Sequence, residues 1–327
     1  MPTSNAVARR SVSPRLGGLA SSSVPILLAL GCSSPGHGSD ESGTGSGSTG
    51  ADTGTSSTTV DASGSAASDL PPPAEGTFDL LVYNVAGLPQ GISGSNPETN
   101  IPMMSPLLDD YDLVLVQEDF SYHEELAKDA THPYQSEPKP PAGGTDLGDG
   151  LNRFSVFPFT DFERHAWEQC SGQFDMGSDC LTSKGFSVGL HELAPGVLVD
   201  VVNLHMDAGS APSDVEARKA QVAQLVGYMQ QRAPDRALVV AGDTNMDEED
   251  EADFVSLLEG LGLRDACREL DCPDPYRIDR AMLRDSDVVE LSATSWSLDD
   301  RFVTEDGEPL SDHEAVAVTI AFRTKGP

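Results

Sequence analysis

Short, continuous runs of apolar residues recur between residues 77 and 322 and predict strands buried on both faces of a sheet. The strongest runs occupy residues 77–83, 112–117, 197–204, 237–241 and 315–322. Weaker strand patterns occupy residues 154–157, 185–191 and 277–283. Because Gly, Pro, Asn and Asp residues punctuate the chain around these runs, each run is expected to form one separate strand.

Helical patterns appear between some of the strands. Residues 213–232 have an apolar stripe at helical spacing, and residues 213–216 fit a capping box at its start. The acidic run at residues 247–251 is typical of a first helical turn, with a calcium site as the alternative. A shorter helix is expected within residues 122–130, followed at 133–150 by a surface loop that could face a substrate. This alternation predicts an α/β layered domain with mixed sheets.

Polar side chains stand where several predicted strands end. They are Asn84, Glu118, His205, Asp243 with Asn245, Asp279, and Asp312 with His313. Each has an ordinary structural alternative: a lone histidine often only fills a hydrogen-bonding role, Asp279 could be a core salt-bridge partner, and Ser-Asp-His could be a turn. Six such positions in one chain favour a common site at the strand ends.

The run RALVVAGDTNMD is the centre of this pattern. Strand alternation would place Asp243 and Asn245 on one face, after an apolar run that ends at Gly242. A carboxylate and an amide in that position could hold a phosphate, a metal or a water molecule. A polar turn is the alternative, because Gly, Asp and Asn are all turn residues.

The first 75 residues differ from the rest in composition. Residues 1–31 contain three arginines, no acid and an apolar stretch, which is typical of a secretory signal and too short for a membrane span. Small residues before Cys32 resemble a bacterial lipoprotein cleavage site, so Cys32 is expected to be lipidated, with plain secretion as the alternative. Residues 32–75 predict a disordered Ser/Gly/Thr-rich tether, and the folded domain is expected at residues 76–323.

Cysteine spacing agrees with export to the bacterial cell envelope. Apart from Cys32, the cysteines form two locally spaced pairs, Cys170 with Cys180 and Cys267 with Cys272. Such pairs could close small loops as disulfides in an oxidising compartment, and neither has the spacing of a metal finger.

The formal net charge is −33 in 327 residues, so the basic surface that most nucleic-acid-binding proteins carry is absent. Tight binding to nucleic acid is therefore not expected. A phosphate substrate remains compatible with this charge, because a bound divalent cation can invert the local field of an acidic site.

The order of the motifs resembles the endonuclease/exonuclease/phosphatase superfamily, which includes deoxyribonuclease-like and bacterial sphingomyelinase-like enzymes. The resemblance covers roughly residues 77–322 and rests on the motifs YNVAG, VQE, NLH, GDTN, RID and SDH. It implies a four-layer α/β sandwich, in which two packed mixed β-sheets are flanked by helices and the strand ends converge on one cleft. It also implies a metal-dependent phosphodiesterase. The protein is expected to be a monomer.

The resemblance assigns a role to each site residue. Glu118 would be the principal ligand of Mg²⁺, or of another divalent cation such as Mn²⁺ or Ca²⁺, which agrees with the preference of such ions for oxygen ligands. His313 would activate the attacking water. Asp279 would orient the His313 imidazole, with the carboxylate and the ring within hydrogen-bonding reach of each other, about 2.6–3.2 Å. Asn84 and Asp312 would support the metal, and Asp243 and Asn245 would position the water and the phosphate. His205 would stabilise the developing charge or help to protonate the leaving group.

Two positions depart from the superfamily pattern. Asp207 could orient His205, bind a second ion or only turn the chain, and Arg280 could contact phosphate or form a surface ion pair. The favoured substrate is a small or lipid-borne phosphoester, in the manner of a sphingomyelinase. A secreted nuclease and a non-catalytic binding protein with the same fold are the alternatives. A calcineurin-like phosphatase is excluded, because its Asp-x-His and Gly-Asn-His motifs are missing.

Overall fold

The structure is a computed structural model and describes residues 74–141, 147–172 and 182–326. The predicted signal peptide, Cys32, nearly all of the predicted tether and Cys180 lie outside the described residues. Within the described part of the chain, no helix is both long enough and apolar enough to cross a membrane.

In the described ranges of the chain, twelve strands form two six-stranded sheets. The first sheet has the order β11-β12-β1-β2-β4-β3, and the second has the order β5-β6-β7-β8-β10-β9. The strands are β1 Glu75–Asn84, β2 Leu113–Gln117, β3 Tyr134–Gln135, β4 Asn152–Ser155, β5 Phe159–Ala166, β6 Gly185–Ala194, β7 Val197–His205, β8 Ala237–Asp243, β9 Arg264–Asp265, β10 Asp279–Arg284, β11 Val289–Leu298 and β12 Val316–Thr324.

Helices connect some of these strands. The α-helices are α1 Pro97–Met104, α2 His123–Ala127, α3 Pro212–Arg232, α4 Glu251–Leu261 and α5 Ala266–Glu269, with 3₁₀ turns at Ser105–Asp110 and Glu248–Asp250. Both sheets are mixed, since β1 pairs with β2 and β7 pairs with β8 in parallel, whereas the other pairings are antiparallel.

Alternation along each strand divides the apolar side chains among three cores. In β8, Val239 and Ala241 pack between the two sheets, whereas Leu238 and Val240 pack against the helices α3 and α4. In the first sheet, Leu81 and Tyr83 pack on the other side against the layer of α1 and α2. The domain is therefore a four-layer α/β sandwich, as the resemblance implied.

Several local predictions are revised. The long helix begins at Pro212 rather than at a Ser213 capping box, and the Asp214 carboxylate accepts the Ala211 N–H at 2.9 Å. The acidic run does open a helix: Asp247 caps the 3₁₀ turn, and Asp250 is paired with Arg218. The elements absent from the sequence interpretation include α1, β3, β5, β9, α5 and β11.

The predicted disulfide between Cys267 and Cys272 is present, with the two Cα atoms 5.0 Å apart. It closes the short loop between α5 and the segment that leads into β10. The pairing of Cys170 with Cys180 stays a prediction, because Cys180 lies outside the described residues.

Candidate active site

Three neighbouring strands of the second sheet bring His205, Asp243 and Asp279 into one row. His205 pairs with Asp243 across β7 and β8, and Asp243 pairs with Asp279 across β8 and β10. All three are buried. They continue the alternation of the residues that pack between the sheets, such as Val239 and Ala241. The row therefore lies at one end of the core between the two sheets.

The first sheet contributes Asn84, the last residue of β1, and Glu118, which directly follows β2. The Asn84 Nδ2 atom lies 3.3 Å from Glu118 Oε1 and 3.1 Å from Asp243 Oδ2, so the amide donates toward a carboxylate of each sheet. Its Oδ1 atom accepts the Ala86 N–H at 3.1 Å, which fixes the orientation of the amide. Asn84 thus connects the polar ends of the two sheets.

The backbone of Glu118 is left-handed, with φ 57°, a conformation that residues other than glycine rarely adopt. Glycines make room for it: a Cβ atom at Gly87 would lie 2.5 Å from the Glu118 carbonyl oxygen, and one at Gly150 would lie 3.0 Å from Glu118 Cα. Strained conformations persist where the surrounding structure fixes them, often at functional sites. Gly87 in the YNVAG motif therefore has a steric function.

His313 and Asp279 form the hydrogen-bonded pair that the resemblance implied. His313 Nδ1 lies 2.9 Å from Asp279 Oδ2, and its Nε2 lies 3.8 Å from Asp243 Oδ2 and 3.4 Å from Asn84 Nδ2. The backbone N–H of His313 donates to Ser311 Oγ, and that hydroxyl donates to the Asn84 carbonyl. The SDH segment is thus attached to the end of β1, and this attachment places the imidazole beside the buried carboxylates.

The surroundings of this pair favour a charged imidazole. Burial by itself would lower the pKa of His313, but the hydrogen bond and charge of Asp279, with the charges of Asp243 and Asp312, outweigh it and raise the pKa to about 10. Burial raises the pKa of Asp279 to about 6. Near neutral pH the pair is therefore an imidazolium beside a carboxylate in the cation-free protein.

His205 lies on the other side of Asp243. Its Nε2 is 3.4 Å from Asp243 Oδ2 and 3.9 Å from Glu118 Oε1. Burial lowers the pKa of His205 well below its usual value, and the positive charges of Lys184 and His313 add to this effect. His205 is consequently a neutral imidazole that can donate or accept a hydrogen bond.

Lys184 is the site residue that sequence interpretation missed. It is buried next to β6, its Nζ donates to the Met206 carbonyl at 3.3 Å, and its charge partly opposes the burial that raises the pKa of Glu118. No motif marks it. The signal in the sequence was its position directly before β6. That strand pairs with β7, which ends at His205, and the register places Phe186 opposite Leu204, so the start of β6 lies beside the end of β7.

Asn245 is positioned differently from the expectation. Strand β8 ends at Asp243, and Asn245 has φ 50°, so strand alternation does not determine its direction. Its backbone N–H donates to Asp243 Oδ1 at 2.9 Å, and its Nδ2 donates to the Met206 carbonyl at 3.0 Å. Asn245 thereby holds Asp243 in orientation and fastens the end of β8 to the residue after β7.

Asp312 lies at the rim rather than inside the buried group. Its side chain is exposed, its Oδ1 lies 3.4 Å from Ser311 Oγ, and its Oδ2 would lie 3.5 Å from a Cβ atom at Gly94. Its contribution to the site is therefore its charge, which acts on His313.

Asp207 contacts the surrounding loops and the long helix. Its Oδ2 accepts the Ser171 N–H at 2.5 Å, its Oδ1 accepts Gln221 Nε2 at 2.9 Å, and its own N–H donates to Gln221 Oε1 at 3.0 Å. These bonds fasten the chain after β7 to α3. Of the three roles considered for Asp207, they support the structural one.

Arg280 faces away from the cleft and forms an ion pair, as one of the two interpretations held, but the pair is buried and does not lie at the surface. Its guanidinium is buried, pairs with Asp265 at 2.7 Å and lies 4.2 Å from the Phe254 ring centroid. The reason is strand alternation, because Asp279 faces the space between the sheets and the next residue must face the helices. Arg280 therefore packs against the helix layer, through Asp265 and Phe254.

Two overlapping sets of residues could hold a metal ion. Among the described residues, Asp243, Asp279 and His313 each offer a ligand atom within 4.8 Å of the others. The second set is the carboxylates of Glu118 and Asp243, which are held near each other by the Asn84 Nδ2 atom. We favour the second set, because Asp279 and His313 already bond to each other and because hard cations prefer oxygen ligands. Glu118 fits this role, since a cation would offset the burial of its carboxylate.

Comparison with known proteins gives sequence relatives for most of the chain. No family model matches it. Sphingomyelinases of Mycobacterium bovis and Mycobacterium tuberculosis are 32% identical to it over 269 residues, which cover 74% of this chain and 52% of the relative. The chain therefore spans about half the length of the curated relatives it matches.

Solved structures establish the fold. Beta toxin from Staphylococcus aureus superimposes with a TM-score of 0.55 at 16% identity, over 74% of this chain and 99% of the toxin. An endonuclease/exonuclease/phosphatase family protein from Bacteroides thetaiotaomicron superimposes with a TM-score of 0.53 at 17% identity, over 76% of this chain and 96% of that one.

The chain therefore shares its fold with beta toxin and with the endonuclease/exonuclease/phosphatase family protein. Two further structures with this fold are sphingomyelinase C from Streptomyces griseocarneus, with a TM-score of 0.54 at 17% identity, and D. rerio TDP2 complexed with a single-strand DNA product, with 0.57 at 17%. They cover 75% of this chain, 99% of the Streptomyces protein and 98% of the D. rerio protein. Because this fold occurs both in a sphingomyelinase and in a protein complexed with a single-strand DNA product, the fold alone does not select a substrate.

Proposed function

We propose that the chain is a divalent-cation-dependent phosphodiesterase that hydrolyses a lipid-borne phosphodiester in the manner of a sphingomyelinase. The observation that carries the proposal is the His313–Asp279 pair directed at a cluster of Asn84, Asp243 and Glu118 where the two sheets meet. A histidine oriented by a carboxylate beside an oxygen-rich cation site is the arrangement that water attack on a phosphodiester requires.

His313 acts in this proposal as the group that takes a proton from water. Its Nδ1 bonds to Asp279 and leaves Nε2 toward Asp243, where a water molecule can bind. Asp279 holds the ring in the useful orientation and stabilises the imidazolium once the proton has arrived. Asn84, through its Nδ2, holds Asp243 on the same side of the cleft.

His205 lies on the opposite side of Asp243, and the positive charge of Lys184 acts on it there. A neutral His205 is suited to donate a hydrogen bond to a phosphoryl oxygen rather than to release a proton. Lys184 brings positive charge close to Glu118 and His205. This side of the cleft is therefore suited to the charge that develops on the phosphate.

A divalent cation at Glu118, Mg²⁺ in particular, would polarise the phosphoryl oxygen and offset the charge of the neighbouring carboxylates. A beta toxin structure with this fold contains bound magnesium ions. Without a cation, the charges of the neighbouring carboxylates keep His313 protonated. A cation that offsets these charges would lower the pKa of His313 and favour its neutral form.

The substrate class follows from the sequence relatives and from charge. The relatives that match 74% of the chain are named sphingomyelinases. The net charge of −33 opposes the approach of a DNA polyanion, which a nuclease normally binds by neutralising phosphates with Lys and Arg. A lipid phosphodiester with a small head group carries no such penalty.

We also infer that the protein is exported and acts as a monomer. Support comes from the signal-like residues 1–31, from Cys32 in a lipoprotein-like context and from the disulfide between Cys267 and Cys272. A lipid on Cys32 followed by a flexible tether would keep the catalytic domain close to a membrane and raise the effective concentration of head groups.

A soluble phosphodiester, bis(p-nitrophenyl) phosphate, tests the catalytic proposal separately from the lipid question. With Mg²⁺ present, His313→Ala is expected to lower kcat by about 10²–10⁴-fold and to change KM much less. His165→Ala, which removes a partly exposed histidine paired with Glu163, is the matched control and should leave kcat unchanged. Equal turnover by the two variants would contradict the catalytic role of His313, and no turnover by the parent would favour a non-catalytic binding protein.

A further inference from the structure

Two separate segments of the chain must meet for the pair of His313 and Asp279 to form. Asp279 begins β10 of the second sheet, whereas His313 precedes β12 of the first sheet. Their side chains lie 2.9 Å apart. A contact of this kind orients a reacting group only if the backbone on each side is held in place. The contacts that fix the distance between the two segments therefore belong to the function of the site.

The segment that leads into β10 is fastened within its own sheet by Thr244. The backbone N–H of Thr244 donates to the Ile278 carbonyl at 2.9 Å, and its hydroxyl donates to the same carbonyl at 2.7 Å. Because Thr244 directly follows Asp243, these bonds fix Asp279 relative to Asp243. They do not fix Asp279 relative to the first sheet, which carries His313.

Arg277 makes a contact between the two segments. Its Nη2 lies 2.9 Å from Oε2 of Glu314, the residue directly after His313. Its guanidinium carbon lies 5.1 Å from the centroid of the Trp296 ring, and Trp296 belongs to β11 and packs against the core between the sheets. Arg277 thus connects the start of β10 to two elements of the first sheet.

Burial distinguishes this ion pair from an ordinary surface pair. The side chain of Arg277 is only 8% exposed, whereas that of Glu314 is 65% exposed. Exposed pairs contribute about 0–1 kcal/mol, partly because both long side chains must be ordered. A guanidinium that already lies on an aromatic ring has less freedom to lose. Trp296 therefore holds Arg277 in place, and Arg277 can hold Glu314.

We propose that Arg277 is a positioning residue, whose ion pair with Glu314 keeps His313 at hydrogen-bonding distance from Asp279. The inference rests on the proposed function, because the pair that it positions is the one that activates water there. Arg277 acts through the backbone, since it lies two residues before Asp279 and its partner adjoins His313. It is the first residue of the RID motif, in which Asp279 had the assigned role.

Turnover of bis(p-nitrophenyl) phosphate with Mg²⁺ tests the proposal first. Arg277→Met keeps a long side chain and removes its charge, whereas Arg277→Lys keeps the charge. Arg277→Met should lower kcat by about 10-fold to 10²-fold and change KM much less, because a displacement of about 1 Å at the reacting groups has an effect of this size. The kcat of Arg277→Lys should lie closer to that of the parent than to that of Arg277→Met.

A double-mutant cycle identifies the partner. Glu314→Gln should lower kcat in the same direction as Arg277→Met, and the double variant should be no slower than Arg277→Met alone, because the two side chains act through one contact. The matched control is Arg232→Met. Arg232 is 12% exposed, pairs with the 47% exposed Glu163 and ends α3, so its loss should lower stability and leave kcat unchanged.

Proton NMR of the cation-free protein at pH 7 gives a readout that does not depend on turnover. The signal is the downfield resonance of the His313 Nδ1–H, assigned by its absence from His313→Gln. In Arg277→Met this resonance should broaden or disappear, because the N–H exchanges with water whenever the contact with Asp279 opens. In Arg232→Met it should be as sharp as in the parent.

An unchanged kcat or an unchanged resonance in Arg277→Met would overturn the proposal. An equal loss of kcat in Arg277→Lys would also overturn it, as would independent losses that multiply in the double variant. If Arg277→Met does not fold, Glu314→Gln tests the same contact by itself, since it alters a mostly exposed side chain. Failure of the proposed function has a different signature: the parent would hydrolyse no phosphodiester, while the resonance would still report whether Arg277 holds the pair together.

Discussion

Replacing Asp279 with Asn should remove a pH-dependent part of the stability of the cation-free protein. Asp279 Oδ2 lies 2.9 Å from His313 Nδ1, and His313 is only 17% exposed at its side chain. Burial lowers the pKa of His313, but the hydrogen bond and charge of Asp279, with the charges of Asp243 and Asp312, outweigh it and raise the pKa from 6.5 to about 10. Asn keeps the size of Asp279 and removes its charge, so the burial of His313 should then lower its pKa.

The direction of the pH effect follows from linkage. A histidine whose pKa is higher in the folded than in the unfolded protein contributes stability that is complete below pH 6.5 and is lost as the pH rises through about 10. A pKa difference between the folded and unfolded protein contributes about 1.4 kcal/mol per unit to the free energy of unfolding, and breaking a buried ion pair typically costs about 3–5 kcal/mol. We therefore take this contribution as about 3–5 kcal/mol. Asp279→Asn should lack it.

Urea unfolding in excess chelator between pH 6.5 and 10 measures the effect. The free energy of unfolding of the parent should fall more steeply over this range than that of Asp279→Asn. Asp265→Asn is the control, because it breaks the buried pair with Arg280, at 2.7 Å, whose guanidinium does not lose its charge in this range. Parallel pH profiles for the parent and Asp279→Asn would refute the assignment of the ion pair.

Three further predictions concern other parts of the account. Glu118→Gln should lower kcat/KM on a soluble phosphodiester by several orders of magnitude with Mg²⁺, and full activity in excess chelator would contradict a cation role for Glu118. Gly87→Ala should lower the free energy of unfolding by about 1–3 kcal/mol and lower turnover, because the alanine Cβ would lie 2.5 Å from the Glu118 carbonyl oxygen. An unchanged midpoint of urea unfolding would contradict this. Cys32→Ala should move the protein from the detergent phase to the aqueous phase, since acyl chains contribute about 0.8 kcal/mol per buried CH₂; an aqueous parent would indicate plain secretion.

Much of the site was predictable because it lies at the ends of strongly apolar strands. Continuous apolar runs identify β1, β2, β7, β8 and β12, and the polar residues at their ends are brought together by the sheet topology. The motif order then supplied what local patterns cannot, namely that His313 and Asp279 meet although they are 34 positions apart.

The longest elements that were missed, β5, β11 and α1, lack the sequence patterns by which strands and helices are predicted. Both β5 and β11 are edge strands with one half-exposed face, so neither contains a continuous apolar run. Helix α1 begins with Pro97 in its first turn and contains Pro102, and its prolines were interpreted as part of a loop.

The misplaced side chains depended on contacts far away in sequence. Arg280 is held by Asp265, and its direction follows only once the strand is known to begin at Asp279. Asn245 turns because β8 ends two residues earlier. Lys184 enters the site through the pairing of β6 with β7, which no local pattern reveals.

The most direct test of the central claim compares two substrates at equal enzyme concentration. The purified full chain is incubated with Mg²⁺ and either sphingomyelin vesicles or supercoiled plasmid DNA, with excess chelator in parallel samples. The account predicts head-group release from the vesicles that stops in chelator, with no nicking of the plasmid. Efficient nicking without head-group release would contradict the lipid substrate, and head-group release that persists in chelator would contradict the cation-dependent mechanism.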